Sequence, residues 1–179
     1  MVTKVYGTQG VDKVQDNVIA TADLQDGAVT AAKIASGVAG TGPAFSAYTS
    51  STTSVSSGVI TKVTLNAEYF DTNNNFDTAN SKFTPTVAGY YQINANFLMG
   101  ANANSFNVIL IYKNGSIAYV GTQVQNSTSQ SSNAVSCILQ CNGTTDYIEL
   151  YAYQTSGSTL SVQTNGGYTG LSGALIRSN

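Results

Sequence analysis

Histidine and tryptophan are absent from this 179-residue chain, cysteine and proline occur only twice each, and charged residues make up only 9%. Each scarcity excludes something. Without His there is no Ser-His or Cys-His dyad and no imidazole ligand for a metal. Cys137 and Cys141 alone cannot supply a four-ligand structural zinc site. The seven cations are scattered along a chain of net charge −2, so no run of them could neutralise successive phosphates, and no nucleic-acid partner is expected. No stretch approaches about 18 consecutive apolar residues, the length of a membrane-spanning helix, so no membrane insertion is expected. The opening MVTKVYGTQG has no apolar core, so a secretory signal is not expected either.

The same poverty weighs against catalysis. Glu68, Asp146 and Glu149 are candidate carboxylates, but the only arginine is Arg177 and no Trp platform exists to hold a sugar between a carboxylate pair. The stretch Asp71-Thr72-Asn73-Asn74-Asn75-Phe76-Asp77 begins like an oxygen-ligand calcium loop. It then places Phe76 where the sharp-turn glycine belongs and Lys82 where the bidentate Glu belongs. No enzyme activity, cofactor or metal is expected.

What the chain has in quantity is Ser, Thr and Asn, 59 residues together, with 42% apolar residues. Such a composition suits a β-rich protein working outside a cell, as virion proteins do. The charges are uneven: residues 1–40 hold seven of the sixteen, namely Lys4, Asp12, Lys13, Asp16, Asp23, Asp26 and Lys33. This part also repeats with a period of about ten. Residues 8–17, 18–27 and 28–37 align with Val14, Leu24 and Ile34 in one column. Asp16, Asp26 and Ser36 share another, followed by the turn formers Asn17, Gly27 and Gly37. A ten-residue unit cannot bury its apolar side alone. Residues 1–42 are therefore read as an extended, repeat-bearing arm, either a poorly ordered tail or, as favoured by the register of its apolar column, a segment that docks on a partner. Val14, Val18, Ile19, Leu24, Val29 and Ile34 are the candidate anchoring residues.

Beyond the Gly-rich joint at 37–43 the pattern changes to alternating β-branched and aromatic residues punctuated by Asn, Gly, Ser and Thr. Strands are predicted at 44–48, 59–65, 82–85, 89–98, 106–113, 117–125, 132–141, 146–154, 159–163 and 172–177. Asn114-Gly115 is the best hairpin signal, since both positions of a tight turn need positive φ. The fold class is all-β: an antiparallel sandwich over 43–179. Cys137 and Cys141 share one face of their strand with Val135 and Leu139, roughly 13 Å apart at about 3.3 Å per residue, too far for a mutual disulfide. They read as buried thiols, with an intermolecular bridge as the alternative.

Four segments, in order, resemble the jelly-roll head shared by complement q-like proteins and tumour necrosis factor. They are Pro43-Ala44-Phe45-Ser46-Ala47-Tyr48, then Phe76 through Tyr91 with its Pro85-Thr86-Val87-Ala88-Gly89 turn and Tyr90-Tyr91 pair, then Val108-Ile109-Leu110-Ile111-Tyr112-Lys113-Asn114-Gly115, and finally Leu171-Ser172-Gly173-Ala174-Leu175-Ile176. The family's Gly-Asp pair is replaced by Gly143-Thr144-Thr145-Asp146, a longer loop, and no collagen-like segment precedes the head. The arm is instead similar to repeats of bacteriophage fibre and capsid-decoration proteins. The resemblance implies a jelly-roll homotrimer, with Tyr90, Tyr91, Tyr151 and Tyr153 as candidate trimer contacts. In an alternating strand Tyr90 and Tyr91 point to opposite faces while Tyr151 and Tyr153 share one. The alternative is that these rings are simply half-buried in each sandwich.

Together these features imply a structural virion protein: a trimeric capsid decoration, or cement, protein whose arm binds the major capsid protein while the head projects from the phage head surface. The alternative is the receptor-binding tip of a short tail fibre. It would contact a host-surface glycan or protein through loops near 49–58, 73–75, 125–133 and 154–158.

Overall fold

A computed structural model describes residues 42–125, 130–165 and 167–179. The arm residues Val14, Val18, Ile19, Leu24, Val29 and Ile34 lie outside the described residues. Thirteen strands are described: β1 (Ala44–Tyr48), β2 (Thr53–Val55), β3 (Thr61–Lys62), β4 (Ala67–Asp71), β5 (Phe76–Asp77), β6 (Lys82–Phe83), β7 (Gly89–Met99), β8 (Phe106–Lys113), β9 (Ser116–Gln125), β10 (Ser131–Cys141), β11 (Ile148–Gln154), β12 (Leu160–Val162) and β13 (Gly170–Ser178). Among the described residues no helix is long and apolar enough to cross a membrane.

The strands form two antiparallel sheets. One has seven strands in the order β2-β12-β7-β13-β1-β4, with β10 also paired to β7. The other has six, β5-β6-β11-β8-β9, with β3 on β11. Many neighbours are distant in sequence, such as β1 with β13, whose register runs Ala44↔Ala174 to Tyr48↔Gly170, while β5–β6 and β8–β9 are local pairs. This is the jelly-roll arrangement, and the strict alternation of β7 shows how it buries its core. Tyr91, Ile93, Ala95 and Phe97 point inward, and Tyr90, Gln92, Asn94 and Asn96 point out. The facing sheet contributes Ile109, Ile111, Ile148, Leu150 and Ala152. An aromatic group fills one end of the core: Phe45 stacks on Phe83 at 4.1 Å and on Phe76 at 5.3 Å, and Phe83 meets the edge of Tyr91 at 5.6 Å. Such pairs add about 0.5–1.5 kcal/mol each beyond their buried area.

The predicted hairpin forms with Asn114 at φ 53° and Gly115 at φ 76°, the left-handed pair a tight hairpin turn needs. Several elements differ from the sequence reading. β2, β4 and β5 are additional strands. Asp146 is not a strand residue: it belongs to a loop in which Asn142 Oδ1 accepts from the amides of Thr144, Thr145 and Asp146. Side-chain capping of this kind competes with ladder pairing. Cys137 and Cys141 are both buried free thiols on the core face. Burial pushes both thiols up, that of Cys141 to about 11.

Candidate functional site

The outer face of the seven-stranded sheet is built from the outward positions of β10, β7, β13 and β1. One row across it reads Ser136, Asn94, Ser172 and Ser46 in paired register. The next runs Ile138, Gln92, Ala174 and Ala44. The middle of this face is uncharged, and its amides are tied to one another. Gln92 Nε2 donates to Ser136 Oγ at 2.9 Å, and Ser136 Oγ donates to Asn94 Oδ1 at 2.9 Å.

Large apolar side chains stand at both ends of the face. At one end Tyr90, Ile138 and Ile176 line an open depression of about 460 Å³ with Arg177. Ile138 is 52% exposed. Ile176 is pushed outward where the β13–β7 register shifts between Leu175 and Arg177, as expected for a bulge residue. At the other end Tyr69, 62% exposed, stacks on Tyr48 at 4.6 Å, and Phe70 is exposed beside it on the edge strand β4. Tyr168, also exposed, lies nearby, its carbonyl accepting from Asn96 Nδ2.

The four tyrosines singled out from the sequence do not share one surface. Tyr90 is on this face. Tyr91 is a core residue and has no exposed area to offer another copy. Its hydroxyl donates to the Val87 carbonyl at 2.7 Å, and burial pushes its pKa up to about 12. Tyr151 and Tyr153 do share a face, the outer face of the six-stranded sheet. There Tyr151 stacks on Tyr112 at 4.0 Å, and Tyr153 lies 6.1 Å from Phe106. Beside them Lys62 pairs with the buried Glu149 at 2.7 Å. The Tyr151 hydroxyl donates to Glu149 Oε2 at 3.4 Å, and burial followed by that carboxylate raises its pKa. Ile138, Ile176, Tyr48, Tyr69, Phe70 and Tyr168 were missed. For Ile138 a signal existed: the strand alternates with Val135, Cys137 and Cys141 inward, so an isoleucine at 138 sits on the polar side of its own strand.

The two ends of the sandwich differ. At one end the chain joins β1: Leu175 N donates to the Pro43 carbonyl at 2.9 Å and Asn179 N to the Ala88 carbonyl at 3.2 Å. At the opposite end the loops 49–58 and 154–158 meet, with Gly58 N donating to the Gln154 carbonyl at 2.8 Å and Gly157 N to Ser57 Oγ at 2.9 Å. Of the four loops expected to cluster, 73–75 lies at the chain-joining end instead, where Thr72 N donates to the Ala44 carbonyl. Its carboxylates are occupied by their own loops: Asp71 accepts from the amides of Asn73 and Phe76, and Asp77 from the amide of Asn80. Among the described residues no group of three or more acidic or thiol ligands gathers. Residues 126–129 of the fourth loop lie outside the described residues.

The paired sheets and their crossovers decide the comparison with known proteins. No protein-family model and no curated protein sequence matches the chain. Solved structures do match over the head. The globular domain of zebrafish complement 1qA is 18% identical with a TM-score of 0.54, covering 76% of this chain and 99% of that one. Murine APRIL at pH 5.0 is 10% identical with a TM-score of 0.59, covering 75% and 99%. Eiger TNF from S. frugiperda is 8% identical with a TM-score of 0.53, covering 76% and 92%. The head has the complement q-like and TNF-like jelly-roll fold. At these identities the likeness is one of fold.

Proposed function

We propose that this chain is a structural virion protein: a trimeric capsid decoration protein with residues 1–42 as the anchoring arm and the jelly-roll head as the projecting part. The observation that carries the self-associating half of this reading is the outer face of the seven-stranded sheet. It combines an uncharged centre with exposed Tyr and Ile at one end and exposed Tyr and Phe at the other, as expected of a surface covered by another copy. Three copies is the number implied by the resemblance to complement q-like and TNF-like heads. The anchoring half rests on the ten-residue repeats, whose apolar columns need a partner surface, here the major capsid protein. Many copies on one lattice would compensate for weak single contacts. Because the chain joins the head at one end, the loops 49–58 and 154–158 face away from that junction.

The test is a chain beginning at Ala44. It is expected to fold and trimerise but not to bind capsids that the full chain decorates. Normal decoration by the shortened chain removes the anchoring role, and a monomeric full-length chain removes the trimer.

The second reading, a receptor-binding fibre tip, is favoured by one feature, the Ser-, Thr- and Asn-rich loop end opposite the chain junction. Loops of this chemistry hydrogen-bond glycans or proteins without steering by charge. Copy number separates the two: hundreds of copies per particle mean decoration, and tens or fewer mean a fibre.

A further inference from the structure

The core is apolar through most of its length and turns polar towards the loop end, where Asn107, Asn133, Gln154, Ser131, Thr49 and Thr169 are buried. Most of these groups are satisfied. Gln154 Nε2 donates to the carbonyls of Val55 and Ser158, and its Oε1 accepts from Ser156 N. Two atoms are not: Asn107 Oδ1 and Asn133 Oδ1 are buried side-chain oxygens that no donor among the described residues reaches. Both residues are 0% exposed.

Amide orientation does not resolve the deficit. Asn133 Nδ2 donates to two carbonyls, those of Asn107 at 3.0 Å and Thr122 at 2.8 Å. Turning it over would set its oxygen against both. Asn107 Nδ2 donates to the Gly100 carbonyl at 3.3 Å and to Ser131 Oγ at 2.6 Å. Turning that amide would oppose its oxygen to the Gly100 carbonyl. The present orientations are therefore the ones the network selects. What is missing on both residues is a donor, and an orphaned buried acceptor costs about 1–3 kcal/mol.

We infer that this end of the core is a binding site for internal water, which donates hydrogen bonds to Asn107 Oδ1 and Asn133 Oδ1. Water supplies two donors and is neutral. A cation would exchange its hydration shell for neutral amide oxygens, with no cluster of carboxylates among the described residues to offset the loss. The location explains why such a site would be kept. Asn133 joins β10 to both β8 and β9, because its amide reaches a carbonyl on each. Leucine at 133 would take the side-chain donor from both carbonyls, and leucine at 107 would take it from the Gly100 carbonyl and Ser131 Oγ, whereas a hydrated asparagine pair satisfies every group.

The experiment uses the full-length chain. A high-resolution crystal structure is expected to hold water-sized density at about 2.7–3.2 Å from each orphaned oxygen. Oxygen-17 relaxation dispersion in solution is expected to count at least one long-lived internal water, and Asn133→Leu is expected to lower that count. Three findings would overturn the inference. They are a protein donor or empty space at both oxygens, a count unchanged by Asn133→Leu, or density with contacts of about 2.3–2.6 Å to five or more oxygens, which marks a calcium-like cation.

Discussion

Asp146 shows how much one side chain can hold at the chain-joining end. Its Oδ2 accepts from Lys113 Nζ at 2.8 Å and from Asn142 N at 2.9 Å, and its Oδ1 from Asn114 Nδ2 at 2.7 Å. It thereby ties the end of β8 and the 114–115 turn to the loop after β10. The Lys113 hydrogen bond, then that of Asn114, holds its carboxyl below the usual range. A depressed folded pKa adds stability that is complete above the unfolded value, about pH 3.9, and is lost as pH falls through the folded value. Asp146→Asn is therefore expected to lower stability at pH 7 by about 1–2 kcal/mol. The gap to the parent chain should narrow progressively below about pH 4, read as urea midpoints across a pH series. A gap that stays constant down to pH 2 would mean that the ionised carboxylate is not what matters. The sequence offered Asp146 as a candidate catalytic carboxylate; its neighbours, brought together only by folding, make it a structural pin.

At the scale of elements, β1 was legible because alternation runs through it without interruption, and β8 because its continuous apolar run Val108–Ile111 is closed by the Asn114-Gly115 turn. β4 was not. It is an edge strand with a register shift opposite Ser46 and Ala47, and three of its five residues are exposed, so no buried face imposed a pattern on Ala67-Glu68-Tyr69-Phe70-Asp71. β9, read from the sequence at 117–125, is found at Ser116–Gln125. It is paired to β8 with two register shifts, and it meets β10 through side chains, Ala134 N donating to Thr122 Oγ1. Gly121 makes that approach possible: a Cβ there would lie 2.5 Å from Ile109 Cγ2, 2.6 Å from Val135 Cβ and 2.8 Å from the Ala134 carbonyl. Replacing a strand glycine by alanine ordinarily helps by restricting the unfolded chain. Here Gly121→Ala is expected to destabilise by about 1–3 kcal/mol through overpacking, read in a thermal or urea melt. A stabilised variant would show that β9 and β10 are not in such close contact.

The whole molecule presents two unlike outer faces, and its state of association should depend on one of them. Ile138 is half-exposed, makes no part of the core and faces the depression beside Tyr90 and Ile176. Ile138→Glu is expected to leave the melting temperature of the isolated fold little changed. It should shift the mass measured by light scattering from an oligomer to the monomer, because a charge on this face would be buried without a partner. An oligomer that survives both Ile138→Glu and Tyr90→Glu would move the interface elsewhere.

The sequence by itself determined the fold class, the main strands, the tight turn at Asn114-Gly115 and the inward phase of Cys137 and Cys141. All of these follow from local periodicity and turn chemistry, which one segment carries alone. Only the tertiary structure decided which tyrosines reach the surface. Opposite faces of a strand are equivalent until the partner sheet covers one, and that covering buried Tyr91 while leaving Tyr90 outside. It alone brought Ile138 next to Ile176, the Asn107 side chain next to that of Ser131, and the Asn133 side chain onto the Asn107 carbonyl. Those contacts join residues far apart in sequence, and no local pattern encodes which crossover will bring them together.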